Sequence, residues 1–400
     1  MPARVWLLII GMVLNVTGSS FLWPVNTIFM VNHLDQTLTA AGVVLMLNAG
    51  AGILGNLIGG TMFDRFGGYR TILGGVSITL VCSVLLIFFH SFYIYAILLF
   101  VIGFSTGITF PSMYAMAGTI WKEGGRKAFN AIYIAQNAGV AGGAALGGMA
   151  ASYSFTLSFI CNAALLASFF MLVLFSFKNM DGDRAVAPAA ESIRKESASL
   201  IKQRGFQALL LLCTGYFFAW IAYAQWPSSI AAHTQEMGIS VKLYSLLWTV
   251  NGALIVLGQP IVNPLLRRFI PSIKAQMMVG YTIFIVSFLV IAEAASFSGF
   301  LAGMIILTIG EMLVWPGIPS IAAELAPAGR AGFYQGVVNS TATAGRMIAP
   351  LFGGLLVDHF NIAVLFYVLM LFLLISFVLT QQYDRKLLNK ATISVSEIKQ

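Results

Sequence analysis

The stretch WPVNTIFMVNHLDQTLTAAGVVLMLNAGAGILGNLIGGTMFDRF, residues 23–66, returns in outline 203 residues later, at residues 226–269. The matching positions are Trp23-Pro24 with Trp226-Pro227, Asn48 with Asn251, Gly55 with Gly258, and Arg65-Phe66 with Arg268-Phe269. Abundant glycine and alanine would produce chance matches, but tryptophan-proline and asparagine pairs at one offset are not explained that way. The chain therefore consists of two parallel repeats, an organisation typical of several transporter folds.

The composition is that of an integral membrane protein. Of the 400 residues, 59% are hydrophobic and 9% are charged, against about 25% charged residues in soluble domains. Runs of about 20 apolar residues, long enough to cross a bilayer, recur along both repeats. The predicted spans are 5–31, 39–63, 71–89, 93–118, 128–152, 156–177, 206–232, 241–265, 273–295, 298–323, 331–357 and 361–382. We therefore expect an all-α integral membrane protein with twelve transmembrane helices in two pseudo-symmetric six-helix bundles.

The basic residues predict the orientation. We assign residues 1–177 to an N-terminal bundle, 178–204 to a cytoplasmic linker, 205–382 to a C-terminal bundle and 383–400 to a cytoplasmic tail. If both termini and the loops that follow the even-numbered spans share one side of the membrane, that side holds all 22 Lys and Arg residues except Lys242 and Arg346. This bias indicates cytoplasmic termini, and we expect a multi-pass protein of the cell (plasma) membrane. The net charge of +8 thus sets topology and does not indicate a nucleic-acid partner.

The loop after the second span reads GTMFDRFGGYR, residues 60–70. An Asp-Arg pair at a helix end suits an electrostatic latch, with Asp64 against the positive N-terminus of another helix and Arg65 on a carboxylate or carbonyl. The loop resembles the major facilitator superfamily signature Gly-x-x-x-Asp-Arg-x-Gly-Arg, which is matched by Gly60, Asp64, Arg65 and Gly67. Gly68 replaces the last Arg of the signature, and Arg267 stands in place of the Asp in the second repeat. A plain cytoplasmic turn is the alternative.

Small residues recur along the fifth and eleventh spans. Residues 139–148 resemble the Gly-x-x-x-Gly-Pro-x-x-Gly-Gly motif of the antiporter branch of this family, with Ala144 in place of the proline, which the eleventh span supplies instead. The residues concerned are Gly139, Gly143, Gly147, Gly148, Gly345, Pro350, Gly353 and Gly354. Such a face lets two helix backbones approach closely. The motif favours an exporter over an importer, and generic helix packing is the alternative.

Ionisable residues near the middle of a span are rare in this chain. The sequence places Glu311 of the tenth span and Arg346 of the eleventh span there. A charge at that depth costs at least about 2.5–3.5 kcal/mol, so we expect both to face a cavity or each other. Two interpretations stay open: a static ion pair, or a proton-coupling site whose protonation is set by burial, the nearby charge and cavity exposure.

Polar and aromatic side chains share helix faces in several spans. Such faces inside a membrane indicate a water-filled cavity and not lipid contact, and aromatic and Met side chains suit lipophilic or cationic ligands. The predicted cavity residues are Asn15, Asn26, Tyr133, Gln136, Asn137, Tyr216, Trp220, Tyr223, Asn251, Met312, Trp315, Gln335 and Asn339. For each of them, an ordinary interhelical hydrogen bond or an interfacial aromatic residue is the alternative.

The whole chain resembles the twelve-helix drug:proton antiporter branch of the major facilitator superfamily. The resemblance implies a secondary active transporter that exports lipophilic or cationic compounds against protons by alternating access. A single-substrate carrier for a lipid-linked sugar, a siderophore or a metabolite, working as a symporter or uniporter, is the alternative. A membrane enzyme is disfavoured because the histidines are dispersed and the acidic residues few, and we expect no cofactor or metal. The expected partners are a small-molecule substrate, protons and the lipid bilayer, with no nucleic acid, and we expect a monomer.

Overall fold

The computed structural model of the protein describes residues 1–178, 180 and 204–385. Every regular element in these residues is helical, which confirms the all-α prediction. The α-helices are α1 (Ala3–Asn32), α2 (Leu38–Phe66), α3 (Gly68–Phe88), α4 (Phe92–Ile120), α5 (Arg126–Tyr153), α6 (Phe155–Leu172), α7 (Arg204–Tyr223), α8 (Ala231–Glu236), α9 (Val241–Phe269), α10 (Ile273–Ala292), α11 (Phe297–Val314), α12 (Gly317–Leu325), α13 (Ala331–His359) and α14 (Ile362–Gln382). Most of the predicted linker and tail lie outside the described residues.

Each predicted span corresponds to one helix or to a short series of helical segments. Spans one to six are α1 to α6, and span seven comprises α7, a π-helical turn at Trp226–Ile230 and α8. Spans eight and nine are α9 and α10, span ten is α11 with α12, and the last two are α13 and α14. Within the described residues, ten of these spans are long and apolar enough to cross a membrane. The other two, α5 and α13, are the helices to which the sequence assigns the glycine motifs.

Several helix boundaries coincide with residues suited to helix ends. The side chain of Thr37 accepts a hydrogen bond from the backbone N–H of Ala40 at the start of α2 (3.1 Å). Asn361 caps α14 in the same way, accepting from Val364 N–H at 2.9 Å. These oxygens satisfy N–H groups that have no partner inside the first turn of a helix. Gly67, with φ of 94°, ends α2 in a conformation that favours glycine, so α3 begins at the next residue.

Pro111 and Pro316 lie 205 residues apart, at equivalent positions of the two repeats, and have different effects. Pro111 lies inside the continuous helix α4. Pro316 separates α11 from α12, since α11 ends at Val314 and α12 begins at Gly317. A proline lacks an N–H and crowds the carbonyl four residues before it, so it bends or breaks a helix according to the local packing. The hydropathy pattern of the tenth span does not reveal this break.

The described residues form two compact units. The first comprises residues up to 180 together with 329–347, and the second comprises 204–328 with 348–385. In the first unit α1 packs against α6, α2 and α3 against α4, and α3 against α6. In the second unit α7 packs against α14, α9 and α10 against α11, and α10 against α14. These are equivalent pairs, so the repeat in the sequence is also a repeat in helix packing.

Candidate functional site

Glu311 of α11 is buried in the second unit, with 3% of its surface exposed. Its Oε2 accepts a hydrogen bond from Asn251 Nδ2 of α9 at 2.8 Å, and its Oε1 accepts one from the Tyr223 hydroxyl of α7 at 3.1 Å. Asn251 Nδ2 also donates to Thr308 Oγ1 at 2.9 Å. Among the acidic side chains of the described ranges, Glu311 is the one that is buried. Three helices of the second unit thus converge on one carboxyl group.

An aromatic cluster adjoins this carboxyl group through Tyr223. The indoles of Trp220 and Trp315 stack with their centroids 4.7 Å apart and their planes 8° from parallel. The rings of Tyr216, Tyr223 and Phe284 each lie with their centroid 5.5 Å from that of Trp315. Indole and phenol rings offer large apolar surfaces and attract cations to their faces. The cluster therefore combines a carboxyl group with surfaces that suit flat, lipophilic or cationic ligands.

The predicted cavity residues of the second unit lie on the three helices that surround Glu311. They are Tyr216, Trp220 and Tyr223 of α7, Asn251 of α9, and Met312 and Trp315 at the end of α11. The sequence prediction missed Trp248, whose ring lies 6.3 Å from that of Tyr223, and also Phe284. Trp248 precedes Asn251 by three residues on one helix, a spacing that places them on a common face. Phe284 has no comparable signal, because α10 is apolar along most of its length.

The predicted cavity residues of the first unit take part in local, pairwise bonds. Asn26 Oδ1 accepts from the Tyr95 hydroxyl at 2.7 Å, and Gln136 Oε1 accepts from the Tyr114 hydroxyl at 2.7 Å. Asn15 is 3% exposed. These contacts are those of interhelical hydrogen bonds, and their role in substrate binding stays a prediction.

Two amides of the first unit bind the backbone of their own helices. Asn137 Nδ2 donates to the carbonyl of Tyr133 at 2.9 Å, and Asn339 Nδ2 donates to the carbonyl of Gln335 at 2.9 Å. Tyr133 and Gln335 are buried, at 5% and 0% exposure. The role of these four residues in substrate binding stays a prediction.

Arg346 lies on the part of α13 that belongs to the first unit, whereas Glu311 belongs to the second. Its Nη2 donates to Thr343 Oγ1 at 3.3 Å, and the side chain is exposed. Thr343 also accepts from Asn56 Nδ2 at 3.4 Å. The Glu311–Arg346 ion pair therefore stays a prediction, and the described contacts of each residue are those within its own unit.

Asp64 contacts the N-terminus of a helix. Its Oδ1 accepts from Gly332 N–H at 2.7 Å and its Oδ2 accepts from Phe333 N–H at 2.8 Å. These amides belong to the first turn of α13, where N–H groups have no intrahelical acceptor and carry a partial positive charge. The contact has the geometry expected of an electrostatic latch, and its conformational role stays a prediction.

The other predicted latch residues surround this contact. A Cβ atom on Gly60 would collide with the backbone of Gly332, so only glycine allows this approach of α2 to α13. The Arg65 guanidinium lies over the ring of Phe66, 5.1 Å from its centroid. Gly67 ends α2 directly after this pair.

The glycines of α5 form a close contact with α1. A Cβ on Gly139 would lie 2.9 Å from Val16 Cβ, and one on Gly147 would lie 2.7 Å from Phe21 Cα. One on Gly143 would collide with the backbone of α1 between these two points. The motif thus permits helix packing at backbone distance, whatever its relation to transport direction. For Gly148 only its place in α5 is described.

The equivalent motif of α13 contacts the segment after α7 at Ala349 and Gly353. Gln225, which follows α7, donates from Nε2 to the carbonyl of Ala349 at 2.7 Å. Its amide oxygen occupies the space that a Cβ on Gly353 would need, whereas a Cβ on Gly354 would meet nothing within 4 Å. Gly345 is buried, and Pro350 lies exposed inside the helix.

Comparisons with known proteins agree with this architecture. The model of the Major Facilitator Superfamily matches residues 8–271 and again residues 212–390. The chain is 54% identical to the uncharacterized MFS-type transporter YttB of Bacillus subtilis (strain 168), over 97% of this chain and 96% of that protein. It is 24% identical to the uncharacterized MFS-type transporter YqjV of the same organism, over 89% of this chain and 87% of that protein.

Two solved structures share the fold. The human organic anion transporter MFSD10 (TETRAN) superposes with a TM-score of 0.77 at 16% identity, covering 95% of this chain and 100% of that one. A bacterial homologue of the iron transporter ferroportin in an outward-facing state superposes with a TM-score of 0.76 at 15% identity, covering 96% and 100%. The family match, the close relative and the shared fold lead to one conclusion. The chain is a multi-pass membrane transporter, not an enzyme, and it belongs to the major facilitator superfamily.

Proposed function

We propose that the protein exports lipophilic or cationic compounds in exchange for protons, and that Glu311 carries the proton. One observation carries this proposal: the buried carboxyl group of Glu311 is held by Asn251 and Tyr223 beside the stacked indoles of Trp220 and Trp315. Ionisable residues inside a membrane typically belong to substrate pathways or proton relays, because their burial is costly.

Opposing effects act on the protonation of Glu311. Burial favours the neutral acid, whereas the hydrogen bonds donated by Asn251 and Tyr223 favour the carboxylate. A change in the surroundings of Glu311 therefore shifts the equilibrium between its neutral and charged forms. A cation that settles on the aromatic cluster favours the carboxylate and expels the proton, and its departure lets the proton return. Exchange follows because the two occupants compete for one negative charge.

The buried negative charge of the second unit favours cationic ligands over anionic ones. Glu311 is the buried charged side chain of that unit within the described ranges. Stacked indoles and phenols add cation–π attraction, which is worth about 2 kcal/mol or more where water is excluded. The site therefore suits a flat organic cation better than a sugar, which needs many hydrogen-bonding groups.

A single-substrate carrier is the second candidate, and Arg346 is the observation that favours it. An exposed guanidinium on α13 suits a carboxylate or phosphate on the substrate. The structurally similar human MFSD10 is named as an organic anion transporter. At 16% identity this similarity extends to the fold alone.

The proposed transport cycle works by alternating access. In it, both termini and the linker at 178–204 are cytoplasmic, and the protein acts as a monomer in the plasma membrane. Bundles formed by residues 1–177 and 205–382 expose the site to each side in turn. Asp64 stabilises one conformation through the first turn of α13, as a charge–dipole contact would.

Uptake into vesicles with an acidic lumen tests the proposal. The purified protein is reconstituted in vesicles, the membrane potential is clamped, and ethidium accumulation is followed by fluorescence on encapsulated DNA. We expect the wild type to accumulate ethidium above equilibrium. Glu311→Gln preserves size, and its amide can accept from Asn251 through its oxygen and donate to the Tyr223 hydroxyl through its NH2 group. It does not titrate, so it should abolish accumulation and retain ethidium exchange. Glu293→Gln, which neutralises an exposed acid after α10, should match the wild type.

The same assay separates the two candidates. If Glu311→Gln accumulated ethidium to the same level as the wild type, the proton-coupling role of Glu311 would be contradicted. An anionic dye, fluorescein sulfonate, is tested in parallel. If the wild type transports this anion and not ethidium, and Arg346→Ala abolishes that transport, the single-substrate carrier with an anionic substrate is the correct reading.

A further inference from the structure

A cavity of about 260 Å³ lies at the end of the second unit where α7 begins and α14 ends. Its walls come from Arg204, Gln207, Ala208 and Leu211 on α7 and from Gln382, Tyr383 and Arg385 at the end of α14. None of its lining residues belongs to the Glu311 cluster, whose members on α7 are Tyr216, Trp220 and Tyr223. The cavity is therefore distinct from the proposed transport site.

The packing of α7 against α14 accounts for the cavity. The helices touch where Ser376 Oγ donates to the carbonyl of Gly215 at 2.7 Å, and a Cβ on Gly215 would lie 3.2 Å from Ser376 Cα. From Gly215 to Arg204 the helix runs about 16 Å at 1.5 Å per residue. At that end Arg204 and Arg385 are among the residues that line the recess between the helices.

Two basic side chains line the recess. Arg204 and Arg385 contribute guanidinium groups, a type of group that binds phosphate through two parallel hydrogen bonds. The adjacent carboxylate of Asp384 binds Lys274 Nζ at 2.5 Å, so its charge is balanced locally. Burial, with smaller contributions from the charges of Asp384 and Glu324, raises the pKa of Tyr383 to about 12, so the phenol is a donor at neutral pH.

The floor of the recess is apolar. Ala208 is 4% exposed and, together with Leu211, lines the side that leads toward the middle of the helices. Gln207 and Gln382 place amide groups at the rim. A basic rim over an apolar floor suits a molecule that is anionic at one end and hydrocarbon at the other. The cavity is smaller than the roughly 300–1,000 Å³ of drug-binding pockets, so it fits a head group with the first carbons of its chains.

We propose that this cavity binds the phosphate head group of an anionic phospholipid. Basic pockets between transmembrane helices on the cytoplasmic side attract such lipids, because that leaflet is negatively charged. Arg204 and Arg385 bind the phosphate, the Tyr383 hydroxyl and the glutamine amides bind its oxygens or the glycerol, and Ala208 with Leu211 contacts the upper acyl chains. The proposal concerns lipid binding alone, so it stands or falls independently of ethidium transport and proton coupling.

Titration of the full-length protein with phosphatidylglycerol in a neutral detergent tests this site. Binding is followed by the thermal unfolding midpoint and by native mass spectrometry, which counts the lipids retained. We expect the double variant Arg204→Gln/Arg385→Gln to bind phosphatidylglycerol about 10- to 30-fold more weakly than the wild type, since each basic residue near the surface contributes about a factor of five. Arg4→Gln/Arg268→Gln removes two exposed charges elsewhere and should bind like the wild type. Equal affinity of the two double variants would overturn the proposal.

Competition identifies the source of the phosphate. A lipid site should retain phosphatidylglycerol even in excess inorganic phosphate, because the apolar floor adds to the affinity for the lipid. If inorganic phosphate displaces the lipid when the two are at equal concentration, the site binds free anions and the lipid assignment is refuted. If the double variant fails to fold, the salt dependence of the wild type decides. We expect phosphatidylglycerol binding to weaken steeply with sodium chloride, and a salt-independent affinity would refute the charge-based site.

Discussion

Equivalent helix pairs are packed differently in the two repeats. In the first unit α2 and α4 meet through glycines, and a Cβ on Gly55 would collide with the backbone of Phe104. In the second unit the equivalent helices are α9 and α11. There the nearest atoms to a Cβ on Gly258, which corresponds to Gly55, are those of the Met312 side chain at 3.6 Å. One pair is in backbone contact, and the other is separated by side chains.

An asparagine at equivalent positions of the two repeats shows the consequence of this difference in packing. Asn48 Nδ2 donates to the backbone carbonyl of Leu99 at 2.5 Å. Its equivalent, Asn251, donates to Glu311 Oε2 at 2.8 Å. At the offset of 205 that relates the prolines of these two spans, Glu311 corresponds to Thr106. The same amide therefore ties two helices together in the first unit and holds a carboxyl group in the second.

This difference in helix packing supports the proposed place of proton coupling. A helix pair in backbone contact has no room for a ligand or a titratable side chain, because close packing excludes both. The pair separated by Thr308 and Met312 has space for Glu311 and for the aromatic rings beside it. We therefore expect substitutions in the second unit to affect proton coupling and those between α2 and α4 to affect helix packing.

The largest expected effect comes from placing a methyl group at the two equivalent glycines. Gly55→Ala should cost about 1–3 kcal/mol or more, because the new Cβ meets backbone that cannot move aside. Gly258→Ala should be neutral or stabilising by up to about 1 kcal/mol, since alanine favours the helix and Met312 can adjust. Thermal unfolding midpoints and folded yield in detergent measure both. Equal losses would contradict the contrast in packing.

The two asparagines should separate stability from coupling. Asn251→Ala removes a hydrogen bond to a carboxylate, worth about 1.5–3 kcal/mol, so ethidium accumulation driven by the pH gradient should fall about tenfold or more. Asn48→Ala leaves a backbone carbonyl without its donor and should cost about 1–3 kcal/mol of stability. Its accumulation per folded molecule should equal that of the wild type. Initial rates normalised to folded protein test this, and a matching loss of coupling in both variants would refute it.

A smaller effect is expected at the latch, which is also asymmetric between the repeats. Asp64→Asn removes the charge that faces the first turn of α13, an interaction that is typically worth about 0.3–1 kcal/mol at a helix N-terminus. Transport should slow by up to about fivefold with ethidium affinity unchanged. Asp35→Asn, at an exposed acid after α1, is the matched control. A loss of affinity without a change in rate would argue against a conformational role.

Much of the fold follows from sequence. Apolar runs predict the twelve spans, because bilayer thickness fixes helix length. Helical spacing groups Tyr216, Trp220 and Tyr223 on one face. The break at Pro316 does not follow, since the equivalent Pro111 lies within a continuous helix.

The partners of Glu311 do not follow from sequence either. The Glu311–Arg346 pair stays a prediction, and hydropathy and helical spacing do not reveal Asn251 and Tyr223 as hydrogen-bond donors to Glu311. Those contacts depend on how α7, α9 and α11 pack, which no local pattern encodes. Phe284 is part of the aromatic cluster for the same reason.

Proton release on ligand binding tests the role of Glu311 most directly. Purified protein in weakly buffered detergent is mixed with ethidium, and a pH indicator reports protons released into solution. We predict that the wild type and Glu293→Gln release protons as ethidium binds, and that Glu311→Gln binds ethidium and releases none. Undiminished proton release by Glu311→Gln would show that another group carries the proton.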